Sequence, residues 1–326
     1  MAVLVTGAAG FIGFHTCKAL AAQGRQVVGV DNLNDYYDPQ LKQARLAELE
    51  KLDGFSYVQA DIAEREAMEA VAASNPDIDV IINLAAQAGV RYSLVNPYAY
   101  TRSNVEGHLV MLEMARHLKN FKHFVYASSS SVYGANTELP FTIDERVDQP
   151  VSLYAATKRA GELMTHCYAR LYGIPSTGLR FFTVYGPWGR PDMAAWIFTR
   201  KILAGEPIEV FNKGDMRRDF TYIDDIIQGV VAVVDHIPGG DVPATVYNLG
   251  NHRSEKLTDF IAMLEEALGK KADVILKPMQ QGDVKETFAD IEASRRDLGF
   301  EPTTSISEGI PRFVEWYRRY HGNQSG

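Results

Sequence analysis

Val5-Thr6-Gly7-Ala8-Ala9-Gly10-Phe11-Ile12-Gly13 is the stretch whose reading decides the fold. A β-branched run, Val3 to Val5, leads into three glycines spaced GxxGxxG, and a helix-forming stretch follows and runs to about Gly24. Glycines let such a turn close tightly and bring backbone amides against a pyrophosphate, whose charge the helix N-terminus then stabilises. Glycines alone also serve ordinary turns, so the strand before and the helix after are what make this a dinucleotide signal. Gly7, Gly10, Phe11, Ile12 and Gly13 are therefore the expected cradle of a cofactor.

Outward from that turn, the runs Val27 to Val30, Phe55 to Gln59, Val80 to Leu84, Phe124 to Ala127 and Thr177 to Phe181 alternate with longer amphipathic stretches. This order predicts an α/β fold, a Rossmann-like parallel sheet with helices on both faces. Ligands of such sheets lie at the carboxyl ends of the strands, where Leu84, Ala85 and Ala86 also fall. The second run ends at Asp31, followed by Asn32, about 20 residues past the glycines, where a carboxylate accepts from both hydroxyls of an adenosine ribose. A 2′-phosphate there is repelled, which favours NAD over NADP; the plainer alternative is that Asp31 caps the next turn. Asp61 and Ile62, after the third run, meet the adenine edge on the same logic, although an Asp at a strand end is also a common helix cap.

After about Tyr185 the pattern loosens into turn-rich pieces such as Gly186 to Pro191 and Phe211 to Asp215. Residues 1–185 read as an NAD-binding Rossmann domain and 186–326 as a smaller, mixed lobe for the substrate, with the chain free to cross between them. Asn323 to Gly326 read as a frayed tail.

Of the 326 residues 46% are hydrophobic and 23% charged, an ordinary globular composition. The net charge of −8, with no run of Lys or Arg, argues against a nucleic-acid partner or an anionic membrane surface. No signal peptide or membrane-length apolar stretch is visible, and the two cysteines, Cys17 and Cys167, lie in helical segments without a CxxC neighbour. A cytoplasmic enzyme with buried thiols and no metal site is the plain expectation.

Tyr154-Ala155-Ala156-Thr157-Lys158 sets a phenol and an ammonium on one helix face, about 5 to 6 Å apart at Cβ. A cation near the phenol, together with a positive nicotinamide ring, favours the phenolate, so Tyr154 becomes a base for a hydroxyl proton and Lys158 a partner for the nicotinamide ribose. Tyr-x-x-x-Lys also arises by chance on surface helices; here it follows a dinucleotide turn. Upstream, Ser128-Ser129-Ser130-Ser131 ends the fifth run, setting four hydroxyls at the carboxyl end of a central strand. Satisfying loop amides accounts for some of them, not for all.

Together, GxxGxxG, the serine run before Val132-Tyr133-Gly134, the Tyr154/Lys158 pair and Arg180 to Pro187 resemble the extended short-chain dehydrogenase/reductase family along nearly the whole chain. Within it, Asp31 to Tyr37, Leu84 to Ser93, Pro187 to Met193 and Gly214 to Tyr222 are most similar to UDP-glucuronic acid 4-epimerases. The resemblance implies a catalytic triad of Ser129, Tyr154 and Lys158. It puts Phe211 beside uracil, Arg218 on the pyrophosphate, Arg190 on another part of UDP, Asp283 at the uridine ribose and Arg91 among the weaker substrate contacts. Many relatives carry a second arginine three residues before that Asp, where this chain has Gln280. For Arg190 and Arg218 the plainer reading is a solvated surface pair, and Asp224 and Asp225 read as helix-start residues. A homodimer through two helices of the cofactor domain is also implied.

These features point to an NAD-dependent epimerase that oxidises C4 of a UDP-sugar and reduces it again on the other face. With glucuronate the 4-keto intermediate is a β-keto acid prone to lose CO2, and Ser130, Ser131 and Thr183 are placed to hold its carboxylate still. Three alternatives stand beside this reading: a 4-epimerase of neutral UDP-sugars, a UDP-glucuronate decarboxylase, and a non-catalytic NAD-binding sensor. Decarboxylases and dehydratases usually carry an acidic residue before Val-Tyr-Gly, where this chain has serines. A sensor commonly lacks the Tyr or the Lys.

Overall fold

Strand β1 (Ala2–Thr6) is buried at every position, as a strand at the centre of a two-faced parallel sheet must be. Its side chains alternate, Val3 and Val5 entering one hydrophobic cluster and Leu4 the other. The structure, a computed structural model, describes residues 2–280 and 282–322; the tail Asn323 to Gly326 lies outside them. Around β1 stand β2 (Gln26–Asp31), β3 (Phe55–Gln59), β4 (Ile78–Asn83), β5 (His123–Ser129), β6 (Ser176–Phe181) and a seventh strand, Ala244–Leu249. Across the sheet the order is seventh, β6, β5, β4, β1, β2, β3, and every pairing is parallel. The winding reverses between β1 and β4, which opens a crevice at their carboxyl ends.

Helix α1 (Phe11–Ala22) packs with α2 (Pro39–Leu49) on one face, whereas α3 (Arg65–Ser74) and the helix before β5 cover the other. That second helix is broken in type: α4 (Pro97–Thr101) continues as a π-helical turn, Arg102–Glu106, into α5 (Gly107–His117). The π turn carries Asn104, whose amide donates to Gln87 O and to Thr157 Oγ1, each at 3.0 Å, while its Oδ1 accepts from Gln87 N at 2.8 Å. It thereby pins the loop after β4 to α6 (Leu153–Tyr172), as π turns often do near functional sites. Ser152 caps α6, accepting from Ala155 N at 3.1 Å, and Gly173 ends it at φ +65°.

The six runs read from the sequence are the first six strands; the seventh, Ala-Thr-Val-Tyr-Asn-Leu, was not among them. With it, helix Ile223–Asp235 packs on α1, so the range 186–326 is interleaved with the sheet layer rather than separate from it. The remainder holds three two-stranded pairs: Thr183–Tyr185 with Phe220–Tyr222, Ile208–Val210 with Val274–Leu276, and Arg217–Arg218 with Glu255–Lys256. Asp224 and Asp225 sit in the first turn of helix Ile223–Asp235, where Asp225 accepts from Thr304 N at 3.0 Å. Buried thiols were expected twice, and one expectation fails: Cys17 is buried in α1, but Cys167 is exposed. From Gly161 onward the buried residues of α6 are Gly161, Glu162, Thr165 and Ala169, and Cys167 falls off that stripe.

Candidate active site

One cleft of about 410 Å³ runs along the carboxyl ends of the strands, from the glycine turn to the loop at Asp283. At its first end, Gly7 has φ +70°, and a Cβ there would lie 2.8 Å from Ala85 N. A Cβ on Gly13 would fall 2.0 Å from Gly7 O, so helix and turn are in backbone contact. Among the described residues no side chain caps the N-terminus of α1. The turn therefore presents backbone and a helix end to the cleft, a fit for a pyrophosphate. Phe11, Ile12, Leu84, Ala85 and Ala86 line the same end.

Asp31 is buried, and its carboxylate accepts from Ala9 N at 3.2 Å and Leu33 N at 2.9 Å. It shapes the turn and also lines the cleft. Asn32 donates to Asp61 Oδ2 at 3.3 Å, and Asp61 accepts from Ala63 N at 2.9 Å while lining the cleft beside Ile62. Lys42, absent from the sequence reading, is buried here and donates to Asn34 O and Oδ1 at 2.8 and 2.7 Å.

In the middle of the cleft β5 delivers Ser129, Ser130 and Ser131, and α6 delivers Tyr154 and Lys158. Lys158 is buried and donates to Ala127 O at 2.9 Å; burial first, then the charge of Arg190, lowers its pKa to about 8. Burial raises the Tyr154 phenol, against the pull of the Ser129 hydroxyl and of Arg190. Arg190 is the cation whose charge reaches both Tyr154 and Lys158. Ser129 Oγ also accepts from Ser131 N at 3.1 Å, fixing the bend of the serine run. Thr183, just beyond β6, completes the lining here.

Beneath these groups lies a buried carboxylate that the sequence reading missed. Glu162, one turn after Lys158 on α6, accepts from Ser128 Oγ at 2.6 Å and from Arg180 at 2.8 and 3.0 Å. Arg159 reaches it at 2.9 Å. Burial works to raise the Glu162 carboxyl, and the two arginines and Ser128 more than offset that, leaving it below the usual range. Glu162 thus joins the serine strand, the Tyr154 helix and the strand leading to Thr183. The i+4 spacing from Lys158 was visible in the sequence; the partners on other strands were not.

Toward the far end, Arg190 lies in the cleft wall, its Nε 3.0 Å from Asp192 Oδ1 and its Nη2 2.5 Å from Asp192 Oδ2. Tyr36 donates to the same carboxylate at 3.1 Å. Asp192 and Tyr36 were read only as parts of longer motifs. Arg218 donates to Asp283 Oδ1 at 2.7 Å and, like Asp283, lines the cleft. Its side chain is 16% exposed and that of Arg190 23%, so neither is a solvated surface arginine. Burial lowers the Arg218 pKa, Asp283 opposing. Arg91 and Phe211 stand outside the cleft lining: the Arg91 guanidinium lies 4.7 Å from the Phe211 ring centre and 3.9 Å from Asp283 Oδ2. Gln280 Oε1 is buried with no hydrogen-bond partner among the described residues. Among the described residues no His, Cys, Asp and Glu cluster suits a metal ion, and no helix is long and apolar enough to cross a membrane.

Residues 3–250 match the NAD dependent epimerase/dehydratase family. The chain is 46% identical to a probable UDP-glucuronate 4-epimerase of Rhizobium meliloti, over 98% of this chain and 99% of that one. It is 47% identical to UDP-glucuronate 4-epimerase 3 of Arabidopsis thaliana, over 98% of this chain and 77% of the relative. Among solved structures it resembles UDP-glucuronic acid 4-epimerase from Bacillus cereus in complex with UDP-glucuronic acid and NAD, with a TM-score of 0.91 and 35% identity, covering 98% of this chain and 100% of that one.

Proposed function

The chain belongs to the NAD dependent epimerase/dehydratase family, and we propose that it is the 4-epimerase that interconverts UDP-glucuronate and UDP-galacturonate with retained NAD. NAD, when bound, would supply reversible hydride acceptance at the sugar C4. The glycine turn and Asp31 hold the dinucleotide, and Lys158 holds its nicotinamide ribose. Tyr154 removes the C4 hydroxyl proton and gives it back on reduction, and Ser129 orients that oxygen. Since the phenol is raised in the polypeptide alone even with Arg190 near it, the added positive charge of the oxidised ring is what would bring it down toward the neutral range. Arg218 anchors the UDP pyrophosphate while the keto sugar turns over, with Arg190, Arg91, Phe211 and Asp283 along the rest of the nucleotide.

One observation carries the choice of reaction. At the sugar end the cleft offers Tyr154 with the hydroxyls of Ser129, Ser130, Ser131 and Thr183, whereas the carboxylates lining it are Asp31, Asp61 and Asp283. Asp31 ends β2 and Asp61 follows β3, both at the dinucleotide end, and Asp283 is held by Arg218. Among the described residues, therefore, no carboxylate of the cleft lining is placed at the sugar to shuttle the proton of a dehydration. The hydroxyls suit a clamp that keeps the carboxylate of the keto acid out of line with its carbonyl.

The decisive experiment mixes purified protein with UDP-glucuronate, without added NAD, and follows the sugar protons by NMR. UDP-galacturonate without a pentose is the expected product. A pentose would sink the clamp, and no change with or without added NAD would move the reading to a neutral UDP-sugar. We also propose a cytoplasmic homodimer formed through α5 and α6, whose Leu109, Leu163, Leu171 and Tyr172 are exposed. A monomeric mass by light scattering would count against the dimer, and recovery in a membrane fraction against the location.

A further inference from the structure

The loop that starts at the dinucleotide ribose carboxylate ends on the substrate arginine. Three successive side-chain to backbone bonds stiffen it: Leu33 N to Asp31 Oδ1 at 2.9 Å, Asn34 N to Asn32 Oδ1 at 3.1 Å, and Tyr36 N to Asn34 Oδ1 at 3.4 Å. Lys42, buried beneath, fixes the middle of the loop through Asn34. Tyr36 then crosses the cleft wall to Asp192, and Asp192 grips Arg190 through two bonds.

A second bridge runs parallel to the first. Arg45 is fully buried and donates to Ala9 O at 2.8 Å in the glycine turn, to Tyr37 Oη at 2.7 Å, and to Trp188 O and Gly189 O at 2.6 and 3.2 Å. The glycine turn, the Asp31–Tyr37 loop and the 186–193 loop are thus joined by a guanidinium from α2. Arg45 is a fully buried pin held by four acceptors, whereas the Tyr36–Asp192 contact is a single side-chain hydrogen bond between two half-buried groups.

We propose that Tyr36 and Asp192 form a latch that couples the dinucleotide site to the substrate site, with Asp192 as the positioning residue for Arg190. Ribose hydroxyls on Asp31 fix the start of the loop, and Tyr36 at its end fixes the Asp192–Arg190 pair in the orientation that meets a UDP-sugar. Coupling of this kind is reciprocal, so a bound uridine nucleotide holds the loop and slows the escape of NAD. For an enzyme that oxidises and reduces its substrate in one cycle, this keeps the cofactor in place while the keto sugar is present. The inference rests on the reading of the cleft as an NAD and UDP-sugar site.

The test uses holoenzyme with its retained NAD and measures the rate of NAD release after dilution, with and without saturating UDP. In the wild type UDP slows release by about fivefold or more, within the usual range of coupling between sites. Tyr36→Phe, which removes one oxygen, and Asp192→Asn, which keeps the shape but not the charge, both bring that ratio to within about twofold while UDP still binds in direct titration. A merely structural role for either residue would speed release equally in both conditions and leave the ratio unchanged, and that result overturns the latch. So does a wild-type ratio near one with UDP bound. Failure of the wild type to bind UDP at all would overturn the UDP-sugar reading, and the latch with it.

Discussion

The two ends of the cleft are built from different materials. The dinucleotide end is mostly backbone: glycines in contact at Gly7 and Gly13, an uncapped helix N-terminus, and a carboxylate that is itself held by amides. The far end is made of long charged side chains in pairs, Arg190 with Asp192 and Arg218 with Asp283. A site of backbone tolerates no added atom, because its groups cannot move without moving the fold. A site of paired side chains loses affinity by degrees, since each group it presents is one of several.

The sharpest way to break this contrast is to add atoms at the backbone end. Gly13→Val places methyl groups where even a Cβ would overlap Gly7 O, and overpacking of that kind costs about 1 to 3 kcal/mol or more. The expected outcome is a protein purified without NAD and without detectable epimerase activity; NAD bound stoichiometrically, by absorbance of the denatured supernatant, would refute the account of the turn. Next in size is Tyr154→Phe, which leaves both ends intact and removes the proposed base. A loss of about 10²- to 10⁴-fold in kcat with NAD retained is expected. Near wild-type turnover in that variant would mean that another group moves the proton.

How legible each end was in the sequence follows from the same difference. The backbone end is one contiguous string, and its strand, turn and helix stand where Val3 to Gly24 put them; likewise the first six strands lie along their β-branched runs. The seventh strand escaped notice because Ala244–Leu249 sits far along a turn-rich half of the chain, and only its pairing with β6 marks it as central. Asp192 and Tyr36 are 156 positions apart and meet through tertiary packing, as do Glu162 and Arg180 on neighbouring elements, so no spacing announces them. Cys167 was misplaced because membership of a helix does not say which face a residue occupies.

At the paired-side-chain end, Arg218→Ala sharpens the comparison. A hydrogen bond to a charged group is worth about 1.5 to 3 kcal/mol, so KM for UDP-glucuronate should rise by roughly 10- to 150-fold. kcat should hold within a few-fold, because the reacting atoms are elsewhere, and the cofactor should stay bound. A fall in kcat with unchanged KM, in steady-state assays, would place Arg218 at the chemistry instead.

The smallest expected effect is a pH limb that lies between the two ends. Lys158 titrates at about 8 rather than at its ordinary 10.5, first because it is buried and then because Arg190 is near. On the proposed mechanism its charged form, which would hold the nicotinamide ribose, is present below that value and lost above it, so kcat should decline by roughly tenfold one unit past the limb. Stability moves the other way. Between about 8 and 10.5 the unfolded lysine keeps a proton that the folded one has released, and this group alone makes unfolding less favourable as pH rises. Activity that falls over this window while thermal stability does not is therefore the signature of Lys158 rather than of denaturation. Arg190→Gln removes one of the two causes and should shift the limb upward, with burial still holding it below 10.5. A limb that stays where it was would mean that Arg190 does not act on the catalytic lysine, and that the charged end of the cleft is electrically separate from the chemistry at its centre.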